Sequence, residues 1–250
     1  MARVLEPEVM EGADEAAAYD EMDRIWGDII FQGFAETAAS LGVPEGRVLD
    51  VGTGSGRPAI RLAKLNPAFN IDAIDLSYSM IDLARENAAR SGVKNLRFAI
   101  GDAKRIPFPD DTFDLVICHQ FLHQLSDPAA ALREIIRVAK PNGALLVRDV
   151  RRLPEPFMTL VLPFWCLGYS RRLREQTIAS FRAGLTAREF ARLVDSVGVE
   201  GATLRRHFLT HQSIQRAAIP YAAAPQPQTT SSPIVKVLKW VFVSSPVVRT

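Results

Sequence analysis

The sequence predicts an α/β fold, a doubly wound and mostly parallel sheet with helices on both faces, and three observations carry that expectation. Short apolar runs rich in branched residues alternate with longer segments of helical spacing, the rhythm of successive strand-helix units. The first such run, Val48-Leu49-Asp50-Val51, breaks into the alternating glycines Gly52, Gly54 and Gly56 just before a helix-like stretch, Ala59 to Leu65. Two later strands end at carboxylates, Asp75 and Asp102, and ligands of open α/β sheets bind just outside such ends.

Bulk properties narrow the classes. With 250 residues, 48% of them hydrophobic, the chain suits one α/β domain with an appendage. Cys118 and Cys166 have no metal-ligand spacing and read as buried thiols, so neither a metal site nor a disulfide framework is expected. No apolar leader opens the chain, and no apolar run approaches the roughly 18 residues of a spanning helix. The expectation is therefore a soluble, cytoplasmic protein. Net charge is only +2, but residues 1–47 hold three basic against eleven acidic residues, whereas 148–216 hold twelve arginines against six acidic residues. Solvated surface and mutual attraction explain this most simply; the alternative left open is that the basic segment meets an anionic substrate or an acidic membrane surface. Lysine-rich runs with interleaved aromatics are absent, which argues against a nucleic-acid partner, and nothing in the sequence fixes an oligomeric state.

Taken in order, residues 1–44 read as an N-terminal helical lid. Ala17, Ile25, Ile29, Ile30, Phe34 and Ala38 recur at helical spacing, and Gly42 and Pro44 stop one or two helices that lead straight into the glycine strand. Residues 45–150 form the core. Glycine is favoured where the backbone takes positive φ or a ligand approaches closely, and the spacing here is Gly-x-Gly-x-Gly, not the Gly-x-Gly-x-x-Gly of dinucleotide sites. The second strand, Ile71 to Asp75, ends 23 residues beyond Gly52, where a carboxylate is placed to accept from both hydroxyls of a ribose. Ser77 is the better cap for the helix that follows, which frees Asp75. A third strand, Leu96 to Ile100, precedes Gly101-Asp102-Ala103, and Asp102 can accept from an adenine amino group. The fourth strand, Phe113 to Cys118, opens into His119-Gln120-Phe121-Leu122-His123-Gln124-Leu125. A helix from Asp127-Pro128 to Ala139 then stops at Pro141-Asn142-Gly143, and the fifth strand runs from Ala144 to Asp149.

Residues 151–184 form an insert, apolar from Phe157 to Tyr169 and then abruptly basic at Arg171-Arg172-Leu173-Arg174. Core packing or a pocket cover is one reading; an apolar substrate channel beside an arginine cluster that takes an anionic group is the other. Residues 185–221 complete the core, with a helix from Thr186 to Val197, a sixth strand from Val199 to Thr210 and a short helical stretch after His211. His207 and His211 are expected to face solvent. A linker, 222–233, precedes a C-terminal apolar segment, 234–250, whose residues 235–243 read either as a displaced last strand or as an amphipathic helix, with peripheral membrane contact through 234–243 left open.

Residues 48–56, Ile74-Asp75-Leu76-Ser77 with Met80, Gly101-Asp102-Ala103, Phe113 to Val116 with Leu122-His123, and Leu132 to Ala144 together resemble the class I S-adenosylmethionine-dependent methyltransferases. The likeness is to the small-molecule group that includes the ubiquinone and menaquinone methyltransferases, and it covers about residues 45–150. It implies a Rossmann-like sheet closed by a helix and an antiparallel strand pair, with S-adenosylmethionine as cofactor. It also implies methyl transfer to a small, partly apolar molecule, whose carrying an anionic group is left open. By this resemblance Asp50, Gly52, Thr53, Gly54 and Gly56 hold the methionine part, Asp75 the ribose and Asp102 the adenine. Leu76, Met80, Ala103 and His119 join the cofactor set, and Tyr19 resembles a lid tyrosine.

A sulfonium methyl is already activated, so in-line placement and, for a weak nucleophile, a base are what the protein must supply. His119 and then Asp149 are the candidate bases; His123, Arg148, Trp165 and Tyr169 are candidate acceptor contacts; no metal is expected. The Asn/Asp-Pro-Pro-Tyr motif of nucleobase-amino and glutamine methylases is absent, Cys118-His119-Gln120-Phe121 standing in its place. Two other readings remain, a non-catalytic cofactor-binding or partner-binding module on the same fold and, less favoured by the glycine spacing, an NAD-dependent oxidoreductase.

Overall fold

The computed structural model of the chain describes residues 3–6, 13–207 and 210–219. One long helix, α1 (Ala13–Ala39), leads into β1 (Gly46–Val51), α2 (Arg57–Leu65), β2 (Phe69–Asp75), α3 (Tyr78–Ser91) and β3 (Leu96–Ile100). The second half contains β4 (Phe113–His119), α4 (Pro128–Val138), β5 (Ala139–Val150), α5 (Glu155–Trp165), α6 (Arg171–Ala183), α7 (Ala187–Val197), β6 (Thr203–His207) and β7 (His211–Arg216). The sheet order is β3-β2-β1-β4-β5-β7-β6. The first five strands are parallel, and β7 runs antiparallel to both of its neighbours. The strand order reverses between β1 and β4, which is where ligands of doubly wound sheets bind.

Local chemistry explains the element boundaries. Ser77 caps α3 by accepting from the Met80 amide, and Gly92 ends it at φ 70°. Asp127 caps α4 with Pro128 in its first turn, and Thr186 forms a reciprocal capping box with Glu189 on α7. β5 begins at Ala139, so Pro141-Asn142-Gly143 lies inside the strand and not before it. The ladder to β4 absorbs these residues as an irregularity between Phe113 and Leu115.

Alternation along the strands divides the core in two. Leu49, Val51, Val116, Leu145 and Val147 pack on one side against Leu132 and Ile135 of α4 and Phe190 and Val194 of α7. Val48, Leu115, Ile117 and Leu146 pack on the other against Ala59 and Leu62 of α2 and Phe34 and Ala38 of α1. Both cysteines are free and buried. Among the described residues no helix is long and apolar enough to cross a membrane.

The sequence reading fails at the last strand. His211–Arg216 is not helical but forms β7, between β5 and β6, with every residue buried, and His207 and His211 are 1% and 6% exposed, not solvent-facing. Polarity concealed this strand, because Ile214 is its only large apolar residue. Burial is tolerated because most of the polar groups are paired, the Gln212 side-chain oxygen being an exception. His207 Nε2 lies 2.7 Å from Ser213 Oγ, Gln212 Nε2 donates to the Leu185 carbonyl, and Arg216 donates to the carbonyls of Gly143 and Lys140. With the last strand in this place, residues 235–243 are not needed to complete the sheet. That stretch, the 222–233 linker and the 234–243 membrane contact lie outside the described residues.

Candidate functional site

Two cavities meet beyond the C-terminal ends of the strands. The first, about 850 Å³ including its mouth, is lined by the loop after β1 and by Asp75, Leu76, Met80, Asp102, Ala103 and His119. Gly52 has φ 68°, and a Cβ there would stand 2.3 Å from the Phe121 ring, so the loop needs glycine twice over. Gly54, at φ 52°, has open space where a Cβ would be, and its amide donates to Asp75 Oδ2 at 2.8 Å. Asp75 Oδ1 accepts from the Ser77 amide at 3.0 Å, and burial pushes this carboxyl up from the usual carboxylate range.

Asp50 lies beneath the loop, 1% exposed, and does not line the cavity. Its Oδ2 accepts from Thr53 Oγ1 at 2.6 Å, and burial pushes its pKa up to about 7. Asp50 thus orients Thr53, a lining residue. Gly56 stands away from the cavity wall as the N-cap of α2, and Tyr19 lies on α1 with its side chain outside the described set.

Sequence reasoning missed Phe31, Arg57, Lys104 and Phe121, which also line this cavity. No spacing links Phe31 to the glycine loop. The link is tertiary: Asp23 of α1 bridges Arg57 at 3.0 Å and Arg61 at 2.7 Å, clamping α1 onto α2.

The second cavity, about 600 Å³ including its mouth, is walled by Met22 and Ile30 of α1, Val150 of β5, His211 of β7, Tyr169, and a face of α6 from Leu173 to Phe181. Gln120 and Gln124 border both cavities. Gln120 follows β4 with φ 52°, a left-handed backbone that a non-glycine residue adopts at a cost of about 1 kcal/mol or more. Its side-chain amide lies 2.7 Å from His211 Nε2, and His211 Nδ1 lies 2.9 Å from Thr210 Oγ1. Burial, with the Arg148 charge nearby, holds the His211 imidazole well below its ordinary value, so the ring is neutral.

His123 sits in a short 3₁₀ turn, Leu122–Gln124, directly over the end of β5. Its amide donates to Asp149 Oδ2 at 2.7 Å, and its Nδ1 stands 2.6 Å from Asp149 Oδ1. A carboxylate accepts, so the proton is assigned to Nδ1, which leaves the Nε2 lone pair; that atom is buried and has no hydrogen-bond partner among the described residues. Burial alone pulls this imidazole down, but the Asp149 charge and hydrogen bond together carry it above its ordinary value. Arg3 steadies the turn by donating to the carbonyls of His123 and Leu125 and, at 2.7 Å, to that of Ala183 at the end of α6.

The other candidate residues are placed differently. The His119 ring packs between Phe31 and Phe34, with centroids 5.6 and 4.4 Å away, in the wall of the first cavity. Burial and the Arg148 charge hold it well below its ordinary value, so it is a weak base. Arg148 lines neither cavity: it is buried behind Phe34 and donates to Thr37 Oγ1 at 3.2 Å, and burial holds its pKa at about 10. Tyr169 does line the second cavity, whereas the Trp165 side chain is outside the described set. Arg171, Arg172 and Arg174 are exposed and border neither cavity, so the arginine cluster stands away from both. No cluster of three or more potential metal ligands occurs among the described residues.

Comparison with known proteins agrees with this architecture. The family described as "Methyltransferase domain" matches residues 43–179. The uncharacterized methyltransferase YcgJ of Bacillus subtilis is 33% identical over 149 residues, 59% of this chain and 58% of its own length. The YcgJ crystal structure superimposes with a TM-score of 0.53 at 27% identity, over 70% of this chain and 69% of YcgJ. A demethylmenaquinone methyltransferase of Deinococcus radiodurans is 36% identical over 139 residues, 55% of this chain and 57% of the relative. The chain therefore spans little more than half the length of these curated relatives. The plantazolicin methyltransferase BpumL, solved with SAH, has a TM-score of 0.65 over 82% of this chain and 91% of BpumL, and at 15% identity it attests the fold alone. A glycine turn backed by strand-end carboxylates, on a seven-stranded sheet with an antiparallel β7 and within a matched family domain, places this chain among the class I S-adenosylmethionine-dependent methyltransferases.

Proposed function

We propose that the chain binds S-adenosylmethionine in the first cavity and transfers its methyl group in line to a small, partly apolar molecule held in the second. The observation that carries this reading is the shared wall: Gln120 and Gln124 border both cavities, so donor and acceptor sites adjoin beyond one set of strand ends. The first cavity fits the cofactor on its own chemistry. It offers Asp75 and Asp102 at successive strand ends for polar hydroxyl and amino groups, and an open glycine turn at Gly54 that leaves room for close approach. When bound, S-adenosylmethionine supplies an activated sulfonium methyl.

The protein's own part is binding, orientation and proton removal. Gly52, Thr53, Gly54, Asp75, Leu76, Met80, Asp102 and Ala103 hold the donor, and Asp50 acts through Thr53. Phe31 and His119 close the wall nearest α1. For an acceptor whose reacting atom carries a proton, we assign the base to His123 in preference to His119, with Asp149 positioning it: Nδ1 is tied to Asp149, and Nε2 takes the proton at the second cavity. Tyr169, Ile30 and Phe181 supply the apolar wall, and Gln176, Thr177 and Ser180 the polar one. An anionic group on the acceptor is not part of this reading, because no arginine borders the second cavity.

Calorimetry with S-adenosylmethionine and its demethylated product, followed by mass detection of methylated products across a panel of hydroxylated aromatic and polyketide-like molecules, tests it. Micromolar cofactor binding with at least one methylated product is expected. Failure to bind the cofactor overturns the assignment, and cofactor binding without turnover on any acceptor favours an idle module.

A further inference from the structure

Helix α5 carries an apolar stripe that none of the described residues covers. Phe157, Leu160, Phe164 and Leu167 are 37%, 68%, 76% and 68% exposed. Their spacing of three, four and three residues sets them along one side of α5 and its C-terminal turn. The opposite side is also apolar, with Met158 and Leu162 buried against Val150, Leu153 and Phe181. A helix that is apolar on both faces is ordinarily buried on both.

The neighbouring helix α6 supplies charge. Arg171, Arg172, Arg174 and Arg182 are all exposed. Arg174 and Arg182 border a groove that runs between the helices beside Met158, Pro163 and Cys166. Glu155 faces Arg182 at 3.6 Å, Glu175 faces Arg171 at 2.9 Å and Glu21 accepts from the Ser170 amide at the start of α6, so among the described side chains the four guanidinium groups outnumber the three carboxylates of this rim. We infer that the α5 stripe and the arginine rim of α6 form a docking surface for an anionic lipid bilayer, with α5 lying in the interface plane.

Charge complementarity selects this occupant. Apolar side chains flanked by arginines match acyl chains below negative headgroups. A second copy packed about a twofold axis would bring the arginine rim against itself. At 11 residues, α5 is about 16 Å long and cannot span a bilayer. The inner face of α6, with Leu173, Gln176 and Thr177, walls the second cavity, so on the two-cavity reading an apolar acceptor dissolved in the bilayer would enter beneath the docked helices. The docking itself does not depend on that reading, because it is measured without turnover.

The test is co-sedimentation of the full chain with vesicles of phosphatidylglycerol and phosphatidylcholine in equal parts, against phosphatidylcholine alone. Partition onto the anionic vesicles at least tenfold above the neutral ones, falling as salt is raised, is expected. The double variants Leu160→Gln/Phe164→Gln and Arg171→Glu/Arg174→Glu should each lower it at least tenfold, with calorimetric binding of the demethylated cofactor unchanged as evidence of folding. Equal partition onto both vesicle types overturns the inference. So does full retention of binding by both double variants, which would move the contact to residues 234–243. A concentration-dependent dimer that Leu160→Gln/Phe164→Gln dissociates assigns the stripe to a second copy and also overturns it.

Discussion

The two cavities share a wall but are built in opposite ways. The first is assembled from strand ends and the turns that leave them, so its residues follow the order of the chain: the glycine loop, Asp75, Asp102, His119. The second draws on α1, the turn after β4, β5, α6 and β7, from Met22 to His211. Phe31 of α1 apart, the first follows from the strand order and the turns at the strand ends. The other depends on which helices this chain lays over that topology, and it is the place where acceptor identity would be decided.

The largest expected effect separates chemistry from binding. His123→Gln should lower turnover by roughly 10²- to 10⁴-fold, the usual contribution of a general base, with cofactor affinity unchanged. Rapid-quench assays beside calorimetry read both, and turnover retained in the variant would return the base role to another group. His119→Ala provides the contrast, with turnover expected within tenfold of the parent protein. Asp75→Ala comes next. Loss of two hydrogen bonds to a charged acceptor should weaken cofactor binding by roughly 100-fold, and an unchanged dissociation constant would remove Asp75 from the ribose. Gln120→Ala should raise the acceptor KM by about tenfold, with a smaller change in cofactor affinity, because a lost neutral hydrogen bond between buried groups costs about 1–1.5 kcal/mol. Steady-state kinetics in both substrates would show whether the wall serves one cavity or both.

Two pH effects are smaller. The His123 imidazole lies above its ordinary value in the folded protein, so its base form appears only as pH rises past that raised value. Asp149→Asn should move the acidic limb of the rate profile to lower pH. For stability the sign is the reverse: the protonated His123–Asp149 pair contributes fully below the unfolded histidine pKa and is lost as pH rises through the folded one. Asp50 is a carboxyl pushed up to about 7, so its contribution falls as pH rises from its unfolded value towards 7, by at most about 1.4 kcal/mol per pH unit. Asp50→Asn should flatten that slope in denaturant titrations between pH 4 and 7.

How much could be read from the sequence follows the same division. The glycine turn, Asp75 and Asp102 were legible because backbone geometry and chain order put them at strand ends, and Ser77, Asp127 and Thr186 announced the helix starts by capping. Phe31 was not legible, since it reaches the first cavity only through the clamp of Asp23 on Arg57 and Arg61. His211 was read as solvent-facing because its strand lacks the apolar alternation that marks a half-buried β segment. Arg148 misled for a related reason: a charged residue at a strand end suggested a ligand contact, but Thr37 and the Phe34 ring hold it beneath α1.

The polar character of β7 also governs how the sheet closes. An apolar strand can slide two residues along its neighbour and still bury the same kind of side chain. β7 cannot, because Arg216 needs the carbonyls of Lys140 and Gly143, Gln212 needs that of Leu185, and His211 needs Gln120. A slip would leave several buried polar groups without partners, each a loss of about 1–3 kcal/mol. Register is therefore chosen by matching hydrogen-bond partners on three separated segments, and those segments must be in place before the strand can dock. β7 thus ties the 140–143 segment, held by Arg216, to the second cavity, bordered by His211, and Gly143→Ala, whose Cβ would stand 2.9 Å from the Asp114 carbonyl, is expected to raise the acceptor KM in steady-state kinetics.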